Sequence, residues 1–272
     1  MCLLEVGNLN FHFYIKNMKS FKQLYWKVSP FLRRSIYTMY SIGMKLLSSV
    51  ILLKLNRGKF LGRRVKEIDN IKGAIKFAFS FQYFGFTIRT GQVKYEIIKL
   101  LEILENLNSK IILEIGTAGG GTLFLFTKIA ESDATIISID LPGGDFGGGY
   151  TKWKIPIYQS FTKRNQKIKL FREDSHNPET LEMVKNFLDG KMVDFLFIDG
   201  DHTYKGVKKD FEMYSGLVKK GGIIAFHDII ECLPEVGCEV SKYWNEIKCN
   251  YQFLEIIEDI NQKWAGIGVL YV

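Results

Sequence analysis

From residue 109 onward the chain switches repeatedly between two hydrophobic periods. Short apolar-rich runs at Ile111–Ile115, Thr135–Ile139, Lys167–Phe171, Val193–Ile198 and 223–226 read as strands. Apolar positions three and four apart predict helices at 123–130, Pro178–Leu188, 204–218 and Val240–Ile247. Pro178 suits a first helical turn and Asn177 an N-cap, while Gly221 and Gly222 are expected to stop the 204–218 helix. Residues 253–257 and 266–272 read as two closing strands. Ahead of them all, 92–108 is an amphipathic helix with Val93, Ile97, Leu100, Leu101 and Leu104 on one face, ended by Asn108 and Ser109. Apolar strands alternating with helices imply an α/β fold, a doubly wound Rossmann-like sheet of about seven strands, mostly parallel and covered on both faces. Ligands of such sheets sit beyond the C-terminal strand ends. The residues just after each strand are therefore the candidates for chemistry.

A different pattern precedes this domain. Residues 20–66 read as helical, with Ile36, Tyr40, Leu47 and Ile51 at helical spacing and Met44 between them. Arg33, Arg34, Lys54, Arg57, Lys59, Arg63 and Arg64 flank that stripe. Residues 1–66 hold thirteen Lys and Arg against one acid, Glu5, a net of +12; residues 67–272 hold 24 basic and 28 acidic groups, a net of −4. The chain's overall +8 thus belongs to a basic, helical N-terminal extension, 1–66, set before a domain at 67–272. Three uses of the extension stand open: peripheral contact with an anionic membrane through 20–66, packing on a partner subunit in a homo-oligomer, or a packing helix with a solvated basic face. Lys45 and Lys54 interrupt the apolar stretch 36–55, so a membrane-spanning helix is not expected, and the first residues lack a secretory pattern. Cys2, Cys232, Cys238 and Cys249 form no C-x-x-C and no zinc-ligand spacing. Free thiols in a reducing, cytoplasmic setting are expected, with peripheral attachment to a membrane left open.

The first strand runs into Glu114, Gly116, Thr117, Ala118, Gly119, Gly120, Gly121 and Thr122. Glycines let the backbone turn sharply and approach a ligand closely. A dinucleotide loop needs G-x-G-x-x-G. Counted from Gly116 the pattern meets Ala118, and counted from Gly119 it meets Phe124, so it fails in both registers. The acid Glu114 at the strand end would repel a pyrophosphate but suits a cationic, phosphate-free ligand such as S-adenosyl-L-methionine. Asp140, with Leu141 after it, ends the second strand where a carboxylate can accept from ribose hydroxyls. Asp174 and Ser175 follow the third strand and are expected to reach the adenine or line the pocket. The stretch 143–150 is read as a functional loop near the site, against the alternative of a surface turn.

The fourth and fifth strands, neighbours in such a sheet, end at Asp199 and at His227-Asp228. Two carboxylates so close resist joint ionisation unless a cation lies between them, and oxygen donors suit Mg²⁺. Asp199, His227 and Asp228 are the candidate metal ligands, and His202 is the candidate general base for a substrate hydroxyl. The plainer alternatives are that an Asp caps the helix beginning near Thr203 and that His227 is a hydrogen-bonded core residue.

The segments EIGTAGGGT, SIDLPGG, FIDGDHTYKGVKKDFEMY and GGIIAFHD resemble class I S-adenosylmethionine-dependent methyltransferases. The nearer likeness is to the branch of cephalosporin-hydroxylase-like proteins and macrolide-sugar O-methyltransferases, over roughly residues 90–272. The resemblance implies that Glu114, Gly116, Asp140 and Asp174 contact the cofactor, that an acid at Asp199 binds Mg²⁺ in some relatives, and that a histidine at His202 is the base. Thr117, Ala118, Gly119, Gly120, Leu141, Ser175 and Asp199 are further candidates for contact with the same cofactor. His227-Asp228 departs from the acidic pair that magnesium-binding relatives carry, which leaves the metal's identity and need open. The expected function is O-methylation of a small molecule's hydroxyl, a sugar or glycosylated metabolite, with or without Mg²⁺. The alternatives are an inactive cofactor-binding module in assembly or regulation, and a nucleic-acid methylase. The basic N-terminus suggests the last, and the lack of an N-P-P-Y-like motif after the fourth strand argues against it.

Overall fold

The structure, a computed structural model, describes residues 64, 65, 67, 68, 70–83, 86–143, 149–233, 235 and 237–272. The helical stripe expected over 20–66 therefore falls outside the described residues, except for Arg64 and Val65, as do residues 144–148 of the 143–150 stretch. Described in chain order, helix α1 (Ile71–Ser80) precedes a two-residue hairpin, β1 (Gln82–Tyr83) and β2 (Phe86–Thr87), and helix α2 (Lys94–Glu105). There follow β3 (Ile111–Ile115), α3 (Gly121–Ile129), β4 (Thr135–Ile139), α4 (Ile155–Gln159), β5 (Lys167–Phe171), α5 (Pro178–Leu188) and β6 (Val193–Ile198). The chain closes with α6 (Tyr204–Tyr214), β7 (Val218–His227), α7 (Val240–Ile247), β8 (Gln252–Ile256) and β9 (Ile267–Tyr271).

The seven long strands form one sheet in the order β5-β4-β3-β6-β7-β9-β8. The first five positions pair in parallel, and β9 joins β7, and β8 joins β9, antiparallel. This is the doubly wound, Rossmann-like α/β sheet that the strand–helix alternation implies. Its strands alternate faces with period two. Ile112, Phe195, Phe197, Ile223 and Ala225 pack with buried residues of α1, α2 and α3, while Leu113, Ile115, Leu196, Ile198, Ile224 and Phe226 pack with those of α5, α6 and α7. Strand order reverses between β3 and β6, so a crevice opens beyond their C-terminal ends.

Helix α5 starts as its sequence dictates: Asn177 accepts from the Glu179 N–H at 3.0 Å and Pro178 occupies the first turn. The helix at 204 is shorter than expected, ending at Tyr214 before a 3₁₀ turn, Ser215–Leu217. Gly221 and Gly222 do not stop it. They lie inside β7, where the register against β6 shifts between Val193 and Phe195. Gly221 has φ +77°, its N–H donates to Val272 at 2.7 Å, and Val272 donates back to Gly222 at 3.0 Å. The glycine pair is thus a strand irregularity that the closing chain end pairs against. Among the described residues no helix is long and apolar enough to cross a membrane.

Candidate active site

The glycine loop is shaped first by the chain itself. At Gly116 (φ +92°) a Cβ would fall 1.9 Å from the Asp199 carbonyl oxygen, so only glycine lets the ends of β3 and β6 meet. Asp199 N–H donates to Ile115 O at 2.8 Å, and Gly116 N–H to Ile139 O at 2.9 Å. Gly119 and Gly121 serve a crossing segment rather than an open ligand face. Their Cβ atoms would lie 2.5 Å from Arg89 O and 2.1 Å from Thr90 N. Ala118, at φ +40°, is held by its N–H to Asp140 Oδ2 at 2.6 Å and by its carbonyl, which accepts from Tyr158 Oη at 2.9 Å.

Glu114 is fully buried, and neither carboxylate oxygen has a well-formed hydrogen bond among the described residues. Burial pushes its carboxyl up to about 8, with Asp199 and Asp140 adding to the rise and the Thr122 and Thr117 hydroxyls drawing it partway back. An acid left in this state is suited to a donor-rich cation. Thr117 Oγ1 and Ser138 Oγ share a close contact beside it.

Asp140 stands where the sequence places it, at the end of β4, yet its oxygens are already engaged. Oδ2 accepts from Thr117 and Ala118 N–H, and Oδ1 from Leu141 and Gly149 N–H, all at 2.6–2.9 Å. In this state the carboxylate clamps the glycine loop to the described end of the 143–150 stretch, and a ribose would share those oxygens. Burial raises its pKa and the four amides oppose the rise. Asp174 is exposed and accepts from His176 N–H at 2.8 Å, while Ser175 O accepts from Tyr214 Oη at 2.8 Å.

Across the crevice, parallel pairing of β6 and β7 brings Asp199, His227 and Asp228 together. His227 Nδ1 lies 3.1 Å from Asp199 Oδ1 and 3.3 Å from Asp228 Oδ2. His202 bridges the same acids, Nε2 at 3.4 Å from Asp199 Oδ1 and Nδ1 at 3.1 Å from Asp228 Oδ2. Neither acid caps the following helix. Thr203 does so through Gly206 N–H at 3.0 Å, with Asp201 accepting from Thr203 N–H at 2.9 Å. Burial alone would lower both imidazoles. The Asp199 charge and bond dominate the opposing rise at His227, and bonds to Asp199 and Cys238 do so at His202, pushing the two to about 10 and about 11. Burial would likewise raise Asp199, but the two histidines hold its carboxyl well below the usual range. The two carboxylates thus favour the cationic, doubly protonated form of both imidazoles.

Four further residues complete the site, none of them marked by a motif. Gln92, just before α2, donates through Nε2 to Asp199 Oδ2 at 2.9 Å. Ala265 N–H donates to Asp228 Oδ1 at 3.0 Å. Glu96 of α2, fully buried, accepts from Gly266 N–H at 2.9 Å and Gln262 Nε2 at 2.7 Å, and so holds the turn that carries Ala265. Cys238 lies with His202 and Asp228, one donor atom of each within 4.8 Å of the others.

Residues 113–229, which contain Glu114, Asp140, Asp199, His202, His227 and Asp228, match a protein family described as a methyltransferase domain. The chain is 32% identical over 143 residues to an uncharacterized protein of Acanthamoeba polyphaga mimivirus, covering 52% of this chain and 61% of that one. It is 28% identical over 148 residues to an uncharacterized protein of Sinorhizobium fredii, covering 53% of this chain and 16% of that one. The chain thus spans less than two thirds of the length of either curated relative. Among solved structures it is similar to an O-methyltransferase from Bacillus cereus in complex with SAH, with 15% identity, a TM-score of 0.49 and coverage of 78% of this chain and 90% of that one. It is also similar to an O-methyltransferase from Streptomyces achromogenes in complex with SAM, with 13% identity, a TM-score of 0.48 and coverage of 74% and 88%.

Proposed function

We propose that the chain is an S-adenosylmethionine-dependent O-methyltransferase acting on a hydroxyl of a small molecule, with a sugar or glycosylated metabolite as the acceptor class. One observation carries this reading: the Gly116–Asp199 contact sets a glycine loop with a buried acid, lacking a well-formed hydrogen bond among the described residues, against a proton-handling set of two histidines and two aspartates. The matched methyltransferase-domain span supports it. The sugar acceptor rests on the sequence resemblance alone.

S-adenosylmethionine supplies a methyl group on positively charged sulfur and brings no phosphate. Glu114 fits such a ligand because a buried carboxyl with no well-formed hydrogen bond among the described residues gains a charge-matched partner. Asp140 presents the backbone of Thr117 and Ala118 and offers its oxygens to a diol. Asp199, fixed by Gln92, and Asp228, fixed by Ala265, hold the His202 ring between them. His202 accepts the acceptor hydroxyl's proton only after releasing its own. A positive charge bound beside Asp199 and Asp228 weakens their hold on that proton and so arms the ring as a base.

Magnesium fits these donors poorly, and the proposal includes no magnesium step. Mg²⁺ takes about six oxygens in a near-octahedral shell, whereas His227, His202 and Cys238 surround the two carboxylates with nitrogen and sulfur. The test is transfer of labelled methyl from S-adenosylmethionine to a panel of glycosides in EDTA, by the full chain and by His202→Ala. The reading expects transfer to at least one glycoside and its loss in the variant. Cofactor binding with no transfer to any acceptor would favour the inactive module instead.

A further inference from the structure

The loop after β7 brings a thiol to the edge of the site. Cys238, His202 and Asp228 come from three separate stretches of chain, so no ligand spacing announces them in the sequence, yet their donor atoms lie within 4.8 Å of one another. The three positions are fixed by bonds outside the cluster. Glu239 N–H donates to His202 O at 2.7 Å, tying the residue after Cys238 to the His202 turn. Asp228 adopts φ +63°, and its Oδ1 is held by Ala265 N–H at 3.0 Å, which leaves Oδ2 facing His202. A non-glycine residue kept in the left-handed region and anchored through one oxygen presents the other in a set direction. Cys232 lies beside Cys238, close enough for the two thiols to influence each other.

We propose that His202, Asp228 and Cys238 form a binding site for Zn²⁺ or a similarly soft divalent ion. Thiolate, imidazole and carboxylate are zinc's ligands, and a thiolate selects against magnesium. Zinc–donor bonds of about 2.0–2.3 Å place tetrahedral donors roughly 3.3–3.8 Å apart. The donor atoms lie within 4.8 Å of one another, so the set reaches that with a contraction of at most about 1 Å. Binding displaces the protons of the Cys238 thiol and the His202 imidazolium into solvent.

The site has a consequence for methyl transfer, which rests on the proposed role of His202 as base; the metal site itself does not. An imidazole bound to a metal through one nitrogen keeps its proton on the other and accepts no further proton. Zinc therefore inhibits the enzyme, whereas Mg²⁺ does not.

The test is a titration of the reduced full chain with Co²⁺, followed by the near-ultraviolet sulfur-to-cobalt charge-transfer band. The expected result is one Co²⁺ per chain with that band, displaced by Zn²⁺ and unaffected by excess Mg²⁺. Cys238→Ser and Cys238→Ala lose the band, Asp228→Asn binds at least tenfold more weakly, and Cys249→Ser behaves as the unaltered chain. Thermal unfolding without metal shows that each variant is folded. Absence of the band in the unaltered chain, or a band of full strength in folded Cys238→Ser, overturns the proposal. Because the readout involves neither S-adenosylmethionine nor turnover, it stands or falls separately from the methyltransferase reading.

Discussion

Replacing Glu114 with Gln should stabilise the ligand-free fold and weaken cofactor binding at the same time. The carboxyl rises from 4.5 to about 8 because it is fully buried. A folded-state pKa above the unfolded value means that the folded chain binds the proton more tightly, so its stability falls as pH climbs from 4.5 towards 8. Each unit is worth about 1.4 kcal/mol, which makes the deficit at pH 7 on the order of 3 kcal/mol. Gln keeps the shape and hydrogen-bonding capacity of the neutral acid but does not titrate. The difference between the two proteins should therefore be close to zero near pH 4.5, grow with pH and level off above about 8, reaching on the order of 10 °C in Tm. Thermal unfolding of both proteins across this range measures it. The cost is to the cofactor: losing an ionised partner should weaken S-adenosylmethionine binding by about 1.5–3 kcal/mol, ten- to a hundredfold in Kd. Parallel stability–pH curves for the two proteins would refute the reasoning, since Glu114 would then be ionised in the free fold or matched by partners there.

His202→Ala should lower methyl transfer by about 10²–10⁴-fold while leaving S-adenosylhomocysteine affinity within a few-fold, as calorimetry and steady-state rates would show. Asp210 is fully buried and sits 3.2 Å from His176 Nε2; its bond chiefly raises the His176 pKa. Asp210→Asn should cost about 1.5–3 kcal/mol in denaturant unfolding near pH 6. That deficit should shrink as pH rises through the raised His176 value, because the contribution is complete below the unfolded pKa and lost above the folded one. Gly119→Ala drives a Cβ to 2.5 Å from the Arg89 carbonyl, backbone against backbone, and should destabilise by about 1–3 kcal/mol. Gly143→Ala, whose Cβ would meet no described residue within 4 Å, should leave the unfolding midpoint unchanged.

The sheet was legible because its strands are bounded by clear changes of hydrophobic period. Ile111–Ile115, Thr135–Ile139, Lys167–Phe171 and Val193–Ile198 stand where the pattern puts them. The pattern failed where a tertiary partner decides the local structure. Gly221 and Gly222 look like a helix end, but the pairing of Val272 makes them part of β7. The short helix Ile155–Gln159 has too few residues to show a period, yet its Tyr158 packs against Gly120 and bonds Ala118. Acids and histidines at strand ends could be read because topology alone brings β6 and β7 together. Gln92, Glu96 and Cys238 could not, since each reaches the site through contacts between segments far apart in sequence, and nothing in their immediate neighbours marks them. The raised proton affinity of His202 was equally hidden, for it depends on two carboxylates that face it across the sheet edge.

The central claim is that the crevice beyond β3 and β6 holds S-adenosylmethionine. Calorimetric titration of the full chain with S-adenosylhomocysteine tests it most directly. The account predicts one molecule bound per chain, competition by S-adenosylmethionine but not by NAD, and binding weakened ten- to a hundredfold in Glu114→Gln. No heat of binding and no thermal shift at saturating ligand, with the chain folded, would contradict it.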